Sequence, residues 1–162
     1  MSGEKRTVAD LIVDPATLPE ESGTPYPSPY DELVRGRHRR RLSPALGLSR
    51  YGVNIVRIEP GANSSARHYH SKQDEFVYVL QGEATLITDE GETTLKAGTA
   101  AGFPAGNPNA HTIANRTDAE VLVMEVGDRP VEEEVTYPDI DMANAVRGGK
   151  PHFTKKDGSS FD

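Results

Sequence analysis

Between residues 51 and 127, short apolar runs alternate with turn residues, and this pattern constrains the fold more than any other feature. The clearest runs are YGVNIVRIE, FVYVL, ATLIT and EVLVMEV. They recur at roughly 8–12-residue intervals and are separated by glycine, proline and acidic residues that favour turns. Short strands with this spacing are typical of antiparallel sandwiches and small barrels. The sequence therefore predicts an all-β domain.

Three histidines and one glutamate stand near the ends of these runs. His68 and His70 are two residues apart, so on one strand they face the same side. Glu75 opens the FVYVL run, and His111 begins the strand that follows a turn-rich loop. Imidazole and carboxylate donors together suit a divalent transition-metal ion such as Zn, Fe, Mn or Ni. We therefore predict one metal ion held by these four side chains.

The alternative for each histidine on its own is a structural role, because a single histidine on a strand is more often hydrogen-bonded than metal-bound. The joint pattern is what favours a metal site. Asp74 competes with Glu75 for the carboxylate position. It has the opposite strand parity, so we prefer Glu75.

Two glycine-bounded segments resemble the paired motifs of the cupin superfamily. The matching positions are Gly61, His68, His70, Glu75 and Gly82 in the first segment and Gly98, Pro104, Gly106, His111 and Asn115 in the second. The loops after Gly61 and Gly106 are longer than usual, and loops tolerate insertions. The resemblance implies a double-stranded β-helix, the cupin jelly-roll barrel, with the four predicted ligands inside it and Asn115 in a structural role.

The chain outside these motifs divides into two extensions. Residues 1–50 predict an extended N-terminal arm, because five prolines between residues 15 and 29 disfavour a helix there. A short helix is expected near Thr7–Val13. Residues 51–127 form the predicted cupin barrel, and residues 128–162 a C-terminal tail that packs on the outside of the barrel or frays at its last six residues.

A basic run, RGRHRRR, occupies residues 35–41. One interpretation is a phosphate or nucleic-acid patch. The other, which we favour, is a solvated edge strand whose charges discourage pairing with another sheet. The acidic run at residues 132–134 offers a partner of opposite charge.

Strand parity also predicts which side chains face the interior. Val77, Val79 and Ile113 share the parity of the metal ligands. Besides Glu75, no acidic side chain of these strands has a clear inward parity. Arg57 would indicate an anionic substrate if it pointed inward and an ordinary surface charge if it pointed outward, and the second alternative is favoured.

The opposite face of the FVYVL run carries Phe76, Tyr78 and Leu80, which are too apolar for open solvent. We therefore predict a homodimer in which the arm lies across a neighbouring sheet.

Composition narrows the function. The chain has no cysteine, its first residues lack the apolar segment of a signal peptide, and no run approaches a membrane span, so a cytoplasmic location with no membrane partner is expected. Residues 51–127 carry 10 acidic and 5 basic side chains, which argues against nucleic-acid binding there.

The predicted function is binding or transformation of a small polar organic molecule at the metal, as in cupin dioxygenases, isomerases and lyases. The alternative is a non-catalytic module that binds a sugar or carboxylate beside a structural metal.

Overall fold

A computed structural model describes residues 5–161 of the chain. These residues form mainly antiparallel β-strands, which confirms the all-β prediction. The strands are, in chain order, β1 (Glu21–Ser22), β2 (Arg37–Arg41), β3 (Tyr51–Ile58), β4 (Tyr69–His70), β5 (Glu75–Gln81), β6 (Glu83–Thr88), β7 (Gly91–Lys96), β8 (Ala100–Phe103), β9 (Thr112–Ala114), β10 (Val121–Asp128), β11 (Glu133–Thr136), β12 (Ala143–Arg147) and β13 (Lys150–Thr154). A short α-helix, α1 (Leu42–Leu46), follows β2. Among residues 5–161, no helix has the length and apolar character needed to cross a bilayer.

The largest sheet has the strand order β1-β2-β3-β10-β5-β8. Its strands alternate as the sequence predicts, because side chains two apart on a strand share a face. Val56 and Ile58 on β3 are fully buried, whereas Arg57 between them reaches solvent-exposed carboxylates on the outer face. The inner face of this sheet is therefore apolar around Val56 and Ile58.

A second sheet, ordered β7-β6-β9, packs against that inner face. The buried side chains that meet between the two sheets are Val56, Ile58, Val77, Val79, Val121 and Val123 from the large sheet and Ala84, Leu95 and Ile113 from the small one. Burial of each branched side chain contributes roughly 1.5–3 kcal/mol. The inward direction predicted for Val77, Val79 and Ile113 is thus confirmed.

The turn from β5 to β6 requires glycine. Gly82 has a φ of +81°, a region that other residues rarely adopt. A β-carbon at this position would also lie 2.9 Å from the carbonyl oxygen of Glu120. The closing glycine of the first motif therefore fixes the reversal that brings β6 under the large sheet.

The C-terminal extension forms a third sheet, ordered β13-β12-β11-β4. A second core lies beside it, in which Val135 and Met142 are buried together with Tyr137. The ring of Tyr26, from the arm, lies 5.8 Å from that of Tyr137 and 5.7 Å from that of Phe153. The N-terminal and C-terminal extensions thus pack against each other, next to the strand that holds His70.

The N-terminal arm is extended between three 3-10 turns, at Val8–Leu11, Pro15–Thr17 and Tyr30–Val34. The helix expected near Thr7–Val13 is reduced to the first of these turns, which has 4 residues. Strand β1 pairs with β2 of the same chain. This part of the arm therefore extends the large sheet of its own chain, and the placement of the arm across the sheet of a second subunit stays a prediction.

The apolar outer stripe on β5 stays partly open in the single chain. Phe76 is 38% exposed and Leu80 is 44% exposed, while Tyr78 is half-buried. Strand β1 of the arm lies four strand positions from β5 in the large sheet.

Candidate metal centre

The four predicted ligands come from three segments that backbone pairing brings together. His68 and His111 form an isolated antiparallel bridge, in which the N–H of each donates to the carbonyl oxygen of the other at 2.8–3.0 Å. His70 follows on β4, and Glu75 is the first residue of β5. The bridge explains why two histidines 43 positions apart in the sequence share one site.

The donor atoms converge on one point. The Nε2 atoms of His68, His70 and His111 lie 3.5, 3.3 and 3.0 Å from Oε2 of Glu75. Ligands about 2.1 Å from one ion and 90–110° apart are about 3.0–3.4 Å from each other. Each of the three distances from Oε2 of Glu75 therefore matches an edge of such a coordination shell. The donor atoms of His68, His70 and Glu75 alone all lie within 4.8 Å of one another.

Neighbouring groups fix two of the rings with Nε2 directed to the centre. Nδ1 of His68 lies 2.8 Å from the carbonyl oxygen of Ala66, so it is the protonated nitrogen. Nδ1 of His70 lies 2.9 Å from Oε2 of Glu133. Such partners set the tautomer of metal-binding histidines and increase their basicity. Nε2 of His70 is buried and faces Oε2 of Glu75 at 3.3 Å.

The third ring is held by stacking. His111 lies parallel to Phe103, with ring centroids 3.6 Å apart and an interplanar angle of 1°. Its Nδ1 is buried and has no partner among the described residues. Phe103 therefore lines the site.

The charges at the centre suit a cation. Burial by itself would raise the pKa of Glu75, but hydrogen bonds from the three imidazoles outweigh it and hold that pKa well below its usual value. Burial lowers the pKa of His111, and the nearby His68 and His70 lower it further. For His70, burial acts in the same direction, but the carboxylates of Glu75 and Glu133 outweigh it and raise the pKa. A carboxylate kept ionised among imidazoles that disfavour each other's protonation is a ready set of ligands.

Asp74, the competing carboxylate, is occupied elsewhere. Its Oδ1 accepts a hydrogen bond of 2.7 Å from the N–H of Ala105. This holds the loop that contains Pro104. The choice of Glu75 thus agrees with the geometry, and metal binding by the four residues stays a prediction.

A cavity of about 960 Å³ opens from this centre. The predicted ligands line it together with residues 21–26 of the arm, Asn54, Glu125 and Arg129. The extensions beyond the motifs thus supply part of the cavity wall.

The basic run faces this cavity, and this corrects the sequence-based interpretation. Strand β2 is not the outermost strand, because β1 pairs with it on the far side from β3. Arg37 and Arg39 pair with Ile58 and Val56 of β3, so they share the inward face of those residues. With Arg41 they line the cavity.

The predicted partner of the basic run is also wrong. Glu132 and Glu134 pair with Arg147 instead. The carboxylates that meet the basic run belong to the arm: Glu20 lies 3.3 Å from Arg40 and Glu21 lies 2.9 Å from Arg41.

Arg57 points outward, the alternative that the sequence analysis favoured. It pairs with Glu20, Glu59 and Glu120 on the outer face of the large sheet. It therefore takes no part in the cavity.

Two acidic residues of the site were missed. Glu133 is 2% exposed; besides His70 it accepts hydrogen bonds from the N–H groups of Lys72 and Gln73. Glu125 lines the cavity from β10, and its parity with the buried Val121 and Val123 was the signal that could have found it. Burial raises the pKa of Glu125 to about 7, with the negative charge of Glu75 acting in the same direction and Arg37 opposing it.

Comparison with known proteins places these observations in a family. A family model described as "Cupin domain" matches residues 54–127. No curated protein matches the chain in sequence at a significant level.

Solved structures extend the match beyond that region. A sugar phosphate isomerase of the cupin superfamily from Silicibacter pomeroyi is 44% identical, with a TM-score of 0.89 over 93% of this chain and 96% of its own. A candidate sugar phosphate isomerase from Acidithiobacillus ferrooxidans is 28% identical, with a TM-score of 0.70 over 78% of this chain and 80% of its own. The polyketide cyclase RemF from Streptomyces resistomycificus shares the fold, at 18% identity and a TM-score of 0.61 over 80% of this chain and 85% of its own.

Proposed function

Because the chain belongs to the cupin superfamily, we propose that it is a metal-dependent isomerase of small phosphorylated sugars. The observation that carries the proposal is the convergence of three imidazole nitrogens on one carboxylate oxygen in a cavity that is also lined by guanidinium groups. The 44% identity to the Silicibacter pomeroyi sugar phosphate isomerase supports the same class of substrate. The fold by itself would not, since one fold hosts many reactions.

The cavity suits such a substrate in size and character. Its volume of about 960 Å³ is ample for a sugar phosphate. A divalent ion held by His68, His70, Glu75 and His111 would polarise a carbonyl or hydroxyl oxygen of the sugar. Asn54 and Ser65 add polar groups to a wall that includes the apolar Val77 and Ile113.

Sugar isomerisation also needs a group that moves a proton. At the hydroxyl-bearing carbon beside the carbonyl, the C–H and O–H bonds break and a carbonyl forms. At the former carbonyl group, a C–H and an O–H bond form, so there is no net oxidation. Glu125 is placed for this role: among the carboxylates that line the cavity, it has no hydrogen bond or ion pair with the described residues. Its pKa of about 7 suits both accepting and returning a proton at neutral pH.

The test is proton exchange in D₂O. We expect the protein, loaded in turn with Zn, Mn, Fe or Ni, to convert an aldose phosphate to a ketose phosphate or the reverse, with solvent deuterium appearing at the carbon beside the carbonyl by NMR. A panel of three- to six-carbon sugar phosphates, with the unphosphorylated sugars as controls, covers the class.

Other outcomes distinguish the alternatives. Oxygen uptake by the iron-loaded protein without isomerisation would contradict the proposal and favour a dioxygenase. Saturable binding of a sugar without exchange, for every metal, would favour the non-catalytic module. If no sugar phosphate of the panel shows either exchange or binding, the assignment loses its basis.

The homodimer predicted from the sequence is part of the proposal. The partly exposed Phe76 and Leu80 give a second copy an apolar surface to cover. Light scattering at micromolar concentration should give twice the 17.6 kDa chain mass. Replacing Leu80 with Asp should shift the mass towards the monomer, whereas a monomeric wild type would contradict the prediction.

A further inference from the structure

Two arginines of β2 stand in the cavity with little to neutralise them. Arg37 and Arg39 share the inward face of the strand, which places their α-carbons about 7 Å apart. The Nε atoms of both are buried and have no hydrogen-bond partner in the described chain. Guanidinium groups stay protonated in proteins, so two positive charges are concentrated on this part of the wall.

The contacts of Arg37 orient it without removing its charge. Its Nη1 donates to the carbonyl oxygen of Ser64 at 3.1 Å and its Nη2 to that of Gly23 at 3.0 Å. Among residues 5–161, no carboxylate oxygen lies within 4.0 Å of it. Main-chain carbonyls from the arm and from the loop after β3 thus hold the Nη1 and Nη2 groups in place.

The guanidinium group of Arg39 has even fewer polar partners. Its closest acidic neighbour is Glu21, at 3.7 Å, and that carboxylate is 2.9 Å from Arg41. Burial lowers the pKa of Arg39, and the charges of Arg41 and Arg37 lower it further. Glu125 faces the pair from β10 but forms no ion pair with either. An anion bound between these arginines would relieve this repulsion.

We propose that Arg37 and Arg39 form the seat for the phosphate group of the substrate, and this assignment rests on the proposed function. The planar guanidinium fork matches phosphate oxygens two at a time. A phosphate is the fitting occupant because it brings up to two negative charges, one for each arginine. A single carboxylate would leave one arginine unmatched.

The position of the seat also suits a sugar held at both ends. Strand β2 lies three positions from β5, which begins with Glu75, in the order β2-β3-β10-β5. Neighbouring strands are about 4.8 Å apart, so the two strands are separated by about 14 Å across the sheet. Arg39 is level with Val56 and Glu75 with Gly52, which adds an offset of four residues along the strands. Because the arginine side chains reach inward, a sugar chain of a few carbons can span the space between the metal centre and the phosphate seat. Glu125, on the strand between them, faces the middle.

The experiment is titration with inorganic phosphate of the full chain loaded with Zn, followed by phosphorus NMR. We expect saturable binding to the wild type and at least about tenfold weaker binding by Arg39→Gln, because loss of one charge-assisted hydrogen-bonding group costs about 1.5–3 kcal/mol. The matched control is Arg40→Gln, which makes the same charge change on the outer face of the same strand. It should bind phosphate within about twofold of the wild type.

A second measurement separates the seat from the metal and from the isomerase assignment. The variant His111→Ala should keep phosphate binding within about twofold, whereas phosphate held by the metal would be lost in this variant and retained in Arg39→Gln. Arg39→Gln should lower kcat/KM for an active sugar phosphate at least about tenfold. The kcat/KM for the corresponding unphosphorylated sugar should not change.

The outcomes are distinguishable. Phosphate binding that follows this pattern in a protein without isomerase activity supports the seat and overturns only the proposed reaction. An equal loss of phosphate affinity in Arg39→Gln and Arg40→Gln overturns the seat, even where isomerisation is found. The absence of phosphate binding to the wild type at millimolar concentration does so as well.

Discussion

The two ends of the cavity are built in different ways. At the metal end, four donors come from positions 68–111, inside the region that matches the cupin model. At the arginine end, the side chains come from β2 and are held by the arm, both outside that region. The metal end thus comes from the shared motifs and the arginine end from the extensions. In the proposed function, the first end would carry the chemistry and the second would select the substrate.

The largest effect is expected when ligands of the metal end are removed. The double substitution His70→Ala and His111→Ala should lower metal affinity by about 100-fold or more, since even loss of a ligand's hydrogen-bond partner costs up to that. Metal analysis by mass spectrometry measures the loss, and circular dichroism checks that the fold survives. Phosphate binding at the arginine end should persist. Full metal retention would refute the ligand assignment.

The next largest effect is expected between the two ends. Glu125→Gln should lower kcat by about 100-fold or more, because a proton-transfer group contributes about 10²–10⁴. Metal content and phosphate binding should stay within about twofold of the wild type. Burial raises the pKa of Glu125 to about 7, so the wild-type rate should fall as the pH drops below 7, and the variant should lack this decline. Unchanged kcat would show that another group moves the proton.

The same substitution has a predicted effect on stability. The folded protein binds the Glu125 proton more tightly than the unfolded chain does, so the wild type loses stability as the pH rises from the usual carboxyl pKa to about 7. Glutamine avoids this cost. In urea unfolding at pH 8, Glu125→Gln should therefore be more stable by about 1–3 kcal/mol, a range reduced for contact with cavity water. The gain should nearly vanish at pH 4, below the ordinary carboxyl pKa. An equal gain at both pH values would point to a cause other than ionisation.

Local patterns were enough to predict the strands and to select four candidate metal ligands that the structure brings together. Val77 and Val79 follow Glu75 at two-residue steps, so a single parity assignment placed all three on one face, as the structure confirms for the valines. The histidines were selected by their spacing and by the resemblance to the paired motifs. In the structure His70 ends β4, and His68 and His111 form an isolated bridge.

The arginine end could not be predicted in this way, because it depends on long-range pairing. RHRRR has charged side chains on both faces, so its composition gives no inward side. Pairing of Arg39 with Val56 decides the face, and that register is set by strands distant in sequence. The arm then supplies Glu20 and Glu21 as partners, where the more distant acidic run had been expected. Glu133 was missed for the same reason: its burial follows from pairing of β11 with β4.

The smallest effect is predicted for Arg57, which tests whether the face of a strand decides an arginine's role. Arg57 lies on β3, beside the strand of Arg39, but it pairs with Glu20 and Glu120 on the outer face. Arg57→Gln should therefore leave phosphate affinity and kcat/KM within about twofold of the wild type. The free energy of unfolding should fall by about 1 kcal/mol or less, since largely exposed ion pairs contribute little. The loss should shrink at high salt, because screening weakens these pairs in the wild type. A tenfold loss of phosphate affinity in this variant would mean that net charge, and not the inward face of β2, holds the anion.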